Sequence, residues 1–228
     1  MSYNGIIKHN DDYHYIIKRY DRYDGLKIDH HEVLTLLGKE SRDKYDVTCK
    51  ELIEVVSNYL DNDEILKLFK FLVFSIVISH GDLHAKNISL IYKTNSLDEK
   101  RMTLAPFYDI STIKIYKGIW NNDIGMNIRN KKKDINIDDL LWLADTAHIS
   151  RDRATEVIQD ISTKFLATFE SHIQQLPPEI KQLPVYTNRY RRFDTLEKVF
   201  DKFYRNRKEY IERYLFPEEK RVVSDLWE

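Results

Sequence analysis

His80-Gly81-Asp82-Leu83-His84-Ala85-Lys86-Asn87 runs directly into Ile88-Ser89-Leu90-Ile91-Tyr92. An Asp and an Asn five residues apart, entering a short apolar strand, form the core of a phosphoryl-transfer site. The Asp accepts the proton of an attacking hydroxyl, and the Asn carbonyl holds a magnesium ion that bridges phosphate oxygens. Such a metal site needs a second acid returning on a neighbouring strand. Met102-Thr103-Leu104-Ala105-Pro106-Phe107-Tyr108-Asp109-Ile110-Ser111 supplies it as Asp109. The loop 81–87 must turn so that Asp82 and Asn87 face one cleft, and Gly81 tolerates backbone angles that a side chain would forbid. Strands 88–92 and 102–105 are expected to be antiparallel, with a polar turn at 97–100. Two oxygen ligands at adjacent strand ends are held rigidly, as near-octahedral magnesium requires. An isolated Asp-x-x-x-x-Asn is common by chance. The preceding His-Gly, the apolar strand and the second Tyr-Asp give the pattern its specificity.

His80-Gly-Asp82-Leu-His84-Ala-Lys86-Asn87-Ile-Ser89-Leu90, followed by Leu104-Ala-Pro106-Phe-Tyr108-Asp109-Ile-Ser111, resembles the HipA toxin kinases, bacterial serine/threonine kinases of toxin–antitoxin modules. Tyr15-Ile-Ile-Lys18-Arg19-Tyr20-Asp21-Arg22 looks like the family's hinge strand, and His30-His31-Glu32-Val33-Leu34-Thr35-Leu36-Leu37-Gly38 resembles the helix after it. Gly125-Met126-Asn127-Ile128 and Leu140-Leu-Trp142-Leu-Ala144 resemble the segment after the metal-binding Asp. The likeness runs from about residue 5 to about residue 175. It implies an α+β, mainly helical fold: a protein-kinase-like C-lobe of HipA type with a truncated N-lobe. It also implies ATP and Mg as cofactors, Asp82 as base, and Asn87 and Asp109 as metal ligands. His84 stands where protein kinases often place a cation facing the transferred phosphate, or it braces the loop by a hydrogen bond. Lys86 reaches that phosphate or is solvated. Arg19, Tyr20 and Asp21 lie at the nucleotide hinge, where Tyr20 offers a ring face to adenine or is an ordinary buried aromatic. Lys18 departs from the family pattern, which often has an acid there.

A HipA-like kinase also needs an N-terminal lobe, with a loop over the phosphates and a strand Lys pairing with them. The six glycines, Gly5, Gly25, Gly38, Gly81, Gly118 and Gly125, do not cluster into such a loop, and Lys8 is the only lysine before the hinge strand. Each charge-assisted hydrogen bond to a phosphate is worth about 1.5–3 kcal/mol, and about 1.4 kcal/mol is tenfold in rate. The chain by itself is therefore expected to be a weak or inactive kinase unless another chain supplies the N-lobe. The resemblance implies a protein substrate, with aminoacyl-tRNA synthetases the family's substrate class, and a HipB-like antitoxin or a separate N-lobe chain as partner. DNA contact is expected only through a partner. Two alternatives stand beside the kinase reading. One is a non-catalytic remnant or binding module. The other is a small-molecule phosphotransferase, whose second acid usually sits in an Ile-Asp-Trp/Phe setting unlike Tyr108-Asp109-Ile110.

The 228 residues are enough for one good core. A charged fraction of 32% beside 42% hydrophobic residues describes a soluble globular chain. A net charge of −1 argues against a strongly electrostatic nucleic-acid binder. Cys49 is the sole cysteine, so no intramolecular disulfide forms and a reducing, cytoplasmic compartment fits. The N-terminus lacks an apolar h-region, and the apolar run 71–78 is far short of the ~20 residues that span a bilayer.

Three regions are expected: residual hinge strands at 1–25, a C-lobe core at 26–176, and a helical extension at 177–228 packed on it. Strands are expected at 6–8 and 14–20, and a helix at 30–37 capped by Asp29 and closed by Gly38. Thr48 caps a second helix with Leu52, Val55, Val56 and Tyr59 on one face. Asp61 or Asp63 starts a buried helix to about Ser79. Short strands are expected at 115–116 and 124–128, and a basic turn at 129–133. Asp138 caps a helix carrying Leu140, Leu141 and Leu143. Ser150 caps another to about Gln175, ended by Pro177-Pro178. The last helix, 193–215, packs through apolar residues spaced three and four apart. Arg189, Arg191, Arg192, Arg205, Arg207 and Lys208 are expected on its outer, basic face, a candidate partner surface. The tail 217–228 is charged and ends near Trp227.

Overall fold

The computed structural model describes residues 3–10, 12–92, 102–115, 122–186 and 193–216. Asn4–His9 (β1) and Asp12–Ile17 (β2) pair antiparallel, with Ile6 opposite Tyr15. The hinge strand thus ends at Ile17, and Tyr20 lies beyond it. Arg22–Tyr23 (β3) and Leu26–Lys27 (β4) form a small second hairpin. His30–Glu32 (β5) is a strand, and only Val33–Leu36 (α1) is helical, where the sequence suggested a helix over 30–37. The reason is tertiary: β5 pairs with Ser89–Tyr92 and gives up helical bonding to do so. Gly38, at φ 65°, closes the turn as expected.

Cys49–Val56 (α2) starts with a reciprocal cap between Thr48 and Glu51, and buries Cys49, Leu52, Ile53 and Val56. Tyr59 falls past its end and is exposed. Asn62–Val77 (α3) is capped by Asp61, whose side chain accepts from the Glu64 amide. Its residues Leu68, Phe69, Leu72, Val73, Ile76 and Val77 are wholly buried. At about 1.5–3 kcal/mol for each such side chain, this helix is the main anchor of the domain. A single 3-10 turn at Ala85–Asn87 follows. Ser89–Tyr92 (β6) then sits between β5 and Met102–Leu104 (β7), an antiparallel three-stranded sheet with Leu90 opposite Leu104. The polar turn expected at 97–100 and residue 116 lie outside the described residues. Ile124, Asn127 and Ile128 make isolated bridges instead of a strand.

Ile137–Thr146 (α4) is capped by Asn136, two residues before the expected Asp138, because Asn136 and Asp139 satisfy each other's amides. Arg151–Gln175 (α5) is capped by Ser150 and buries Ala154, Val157, Ile158 and Phe165 against α3 and its neighbours. Pro178–Lys181 (α6), Pro184–Tyr186 (β8) and Phe193–Thr195 (β9) lead into Leu196–Tyr210 (α7), which continues as a wider turn over Ile211–Leu215. Phe169 stacks on Tyr204 with centroids 5.8 Å apart, joining α5 to α7. Apolar residues from Val33 to Leu215 share one core. No helix among the described residues is long and apolar enough to cross a membrane.

One expectation about surface charge is corrected. Arg207 is not on the outer face of α7: it is fully buried. Its neighbours explain this, since Phe203, Tyr204, Tyr210 and Ile211 are buried too, so Arg207 sits in the middle of the apolar stripe. In the basic turn 129–133, Lys131 and Arg129 face the buried Asp139 carboxylate at 2.9 and 3.6 Å. Arg189, Arg191 and Arg192 lie outside the described residues. Arg205 is exposed and pairs with Asp201.

Candidate active site

The end of α3 sets the site. Ile78 and Ser79 close the helix, the His80 amide reaches back to the Ser75 carbonyl at 2.7 Å, and Ser79 adopts φ 53°. A non-glycine residue in that region is strained by about 1 kcal/mol or more. The strain turns the chain sharply into 80–87. Gly81 does not need an unusual backbone angle there; it needs room. A Cβ on it would come within 2.2 Å of the Ile113 side chain. Gly125 is tighter still, because a Cβ would meet the Leu83 carbonyl oxygen at 2.2 Å. The segment around Gly125 therefore lies flat against the loop carrying Asp82, bridged by His80 and Ile124.

The structure brings Asn87 and Asp109 together. Asn87 Nδ2 donates to Asp109 Oδ2 at 2.9 Å, and Asn87 Oδ1 accepts from the His84 amide at 3.0 Å. Asp109 is exposed and takes φ 54°, which turns its carboxylate back toward Asn87 as the chain leaves β7. Asp82 is half-buried at the start of the same loop, and Tyr45 OH donates to its Oδ1.

His84 is buried and faces a cation. Its Nε2 lies 3.1 Å from Lys44 Nζ, and burial, then Lys44, hold its pKa below the usual imidazole range. Lys86 Nζ is 3.3 Å from Ser41 Oγ. His80 is buried with neither ring nitrogen hydrogen-bonded; burial pushes it down to about 4, against the opposing pull of Asp109 and Asp82.

After β2, Arg19 forks onto Asp21 at 2.8 and 2.6 Å, and Arg22 reaches the same carboxylate at 2.6 Å. The Arg19 hydrogen bond holds Asp21 well below the usual carboxylate range. Tyr20 has one face covered by Tyr108, at 5.7 Å and 21°. Tyr108 OH in turn donates to the Lys86 carbonyl at 2.6 Å and lies 2.8 Å from Ser89 Oγ. Tyr20 is thus linked by one stacked ring to the loop that carries Lys86 and Asn87.

Sequence reasoning missed Lys44 and Tyr45. The segment 41–45 lies along the loop 82–87 through four contacts: Tyr45 to Asp82, Lys44 to His84, Ser41 to Lys86, and the Ala85 amide to the Lys44 carbonyl at 3.4 Å. Burial and the Asp82 carboxylate push Tyr45 up to about 12, so its phenol keeps its proton and acts as a donor. Only their place directly before the Thr48 cap marks these residues in sequence.

The donor set fits magnesium. The hard oxygens on offer are the Asp109 carboxylate and Asn87 Oδ1, which also accepts from the His84 amide, and no cluster of three or more His, Cys, Asp or Glu suited to a metal occurs among the described residues. A magnesium ion held by this pair would draw the rest of its ligands from outside the protein, as is usual for magnesium.

Comparison with known proteins identifies the family and the fold. The profile of the HipA-like C-terminal domain matches residues 1–169. The chain belongs to that family. A relative in Sinorhizobium fredii, named "Putative kinase Y4dM", is 28% identical over 167 residues, covering 72% of this chain and 40% of that protein. A protein of Haemophilus influenzae named "Putative kinase" is 26% identical over 136 residues, covering 54% and 38%. The chain spans less than half the length of these relatives. A chain of the Shewanella oneidensis MR-1 toxin–antitoxin complex of HipA, HipB and operator DNA superposes with a TM-score of 0.70. The match covers 93% of this chain and 51% of that one at 15% identity, and shows a shared HipA-type α+β fold.

Proposed function

We propose that this HipA-like chain is the catalytic lobe of an ATP- and magnesium-dependent serine/threonine protein kinase. The observation that carries the reading is the 2.9 Å contact of Asn87 with Asp109, on the loop that begins at Asp82. Asp82 accepts the proton as a substrate hydroxyl oxygen bonds to the γ-phosphorus and ADP departs. Bound magnesium supplies charge neutralisation at the phosphates. Asn87 and Asp109 hold it. Tyr45 steadies one oxygen of Asp82 and leaves the other for the substrate hydroxyl. His84 is neutral and braces the loop, while Lys44 and Lys86 bring positive charge to the loop that carries the base. Tyr20, between the Tyr108 and His30 rings, borders the adenine end, and the Arg19–Asp21 pair fixes the turn that holds it. The substrate class by resemblance is an aminoacyl-tRNA synthetase.

A second feature shapes the proposal. The β1–β2 hairpin exposes Ile6 and Tyr15 on one face and Ile7 and Ile16 on the other, at 61%, 65%, 47% and 48%. An isolated two-stranded ribbon is marginal in water, and apolar ribbons invite strand addition. This hairpin is where an N-lobe docks, from the same polypeptide or another, with a HipB-like antitoxin as a further partner of the assembly.

The test is transfer of labelled γ-phosphate to protein, by the chain alone and with a HipA-like N-terminal fragment added. Transfer that needs the fragment and disappears with Asp82→Asn supports the reading. Equal signal from the variant removes Asp82 from the mechanism. A fragment that binds without transfer favours the binding-module alternative, and one that neither binds nor restores transfer sinks the docking idea.

A further inference from the structure

Arg207 lies beyond the family match at 1–169, yet it reaches the foundation of the candidate site. Its Nη2 donates to the Ile76 carbonyl at 2.7 Å and its Nε to the Val77 carbonyl at 2.8 Å. These are C-terminal carbonyls of α3, which the helix itself leaves partly unsatisfied. Its Nη1 reaches Asp123 Oδ1 at 3.0 Å, and its guanidinium lies 3.8 Å from the centre of the Tyr210 ring. One side chain from α7 thus holds the last turn of the helix that delivers His80, Gly81 and Asp82.

Asp123 extends the link. It is buried, and it also accepts from Lys114 Nζ at 2.6 Å, Ser79 Oγ at 3.3 Å and the Asp134 amide at 2.8 Å. Ser79 is the strained residue at the mouth of the loop. Lys114 stands five residues after Asp109, so the same carboxylate ties down the chain on both sides of the candidate metal pair. A glycine would relieve the backbone at position 79, but only a hydroxyl there can reach Asp123.

We propose that Arg207 is a positioning residue: through the Ile76 and Val77 carbonyls and Asp123 it fixes the strained turn at Ser79, and so the placement of Asp82. The mechanical link stands on contacts alone; its catalytic meaning rests on the phosphotransfer reading above. A lysine at 207 keeps a cation for Asp123 but loses the planar fork that grips two carbonyls at once.

The experiment uses the full chain with Arg207→Lys, and with Asp123→Asn as a second variant where the first fails to fold. Amide hydrogen exchange of 78–84 is compared with that of α2 and α5, together with the melting temperature. In wild type the Ser79, His80, Gly81 and Leu83 amides are all hydrogen-bonded, so they report opening of this turn. The expected result is an exchange rate at least about tenfold higher in 78–84 with α2 and α5 unchanged, because about 1.4 kcal/mol of local stability is tenfold in an opening equilibrium. Exchange that rises equally everywhere, in step with the melting temperature, or that does not rise at all, overturns the proposal. Where transfer is measurable, kcat falls with KM for ATP unchanged. Failure of transfer in the wild type counts against the kinase reading and leaves the exchange result standing.

Discussion

The first and last described elements of this chain are opposites. In the β1–β2 hairpin, isoleucines and a tyrosine face water on both sides, and among the described residues none of its side chains joins the core. In α7, an arginine is enclosed among aromatic rings and takes part in three hydrogen bonds. Apolar surface left outside is a cost that only association removes, so the hairpin is a surface whose partner lies elsewhere. A charge taken inside is a cost that only a complete set of partners offsets, so the α7 arginine belongs to a finished structure. The domain is thus complete around Arg207 and unfinished at the hairpin.

The widest contrast comes from one substitution made at two places. Gly125→Ala forces a Cβ against the Leu83 carbonyl, whereas Gly5→Ala in β1 meets nothing within 4 Å. Urea unfolding should show a loss of about 3 kcal/mol or more for the first, at the upper end of overpacking effects, and almost none for the second. A similar loss at both would erase the distinction between the two regions.

Acid should act on the enclosed region first. His80 is neutral when folded and is held down to about 4, while an unfolded histidine titrates near about 6.5. Between those values the unfolded chain binds more protons, so stability rises with pH across that window and is lost as pH falls through it. The urea midpoint should drop between pH 6.5 and about 4, and His80→Phe should flatten that part of the curve. An unchanged slope in the variant would move the effect to other groups.

Tyr45→Phe removes one hydrogen bond to the Asp82 carboxylate and little packing. Phosphotransfer should fall roughly tenfold, the lower range for a bond to a charged group, with the melting temperature nearly constant. A rate that climbs instead would show that the phenol obstructs the base. The smallest effect belongs to the hairpin. Ile6→Ser with Ile16→Ser should shift stability by no more than about 0.5 kcal/mol while weakening capture of an N-lobe fragment. A loss of several kcal/mol would place the hairpin in the chain's own core.

Local signals explain what could be read from the sequence. The Thr48 and Ser150 caps announce α2 and α5, and the apolar run 71–78 marks α3, because each rests on neighbours a few residues apart. The pairing of Asn87 with Asp109 was legible for a different reason: a motif records a long-range contact as a local spacing. What failed was non-local and unrecorded. His30–Glu32 carries a capping pattern and a helical rhythm, yet the free edge of β6 claims it. Arg207 is charged and was therefore placed outside, although its spacing from Phe203, Tyr210 and Ile211 put it on the inward stripe. Lys44 and Tyr45 sit 40 and 37 residues from the side chains they touch, and nothing in composition points across that gap.

Cys49, at the first position of α2, has a further use. It is the chain's sole thiol, no part of it is exposed, and burial pushes it up to about 12. Its amide is bonded to the Asn127 carbonyl at 2.9 Å, across the stretch that holds Gly125. A thiol-specific dye therefore reacts at neutral pH only with molecules that have opened around α2, and one equivalent of colour marks one opened chain. The rate of labelling is a built-in clock for unfolding, and it runs without any engineered probe.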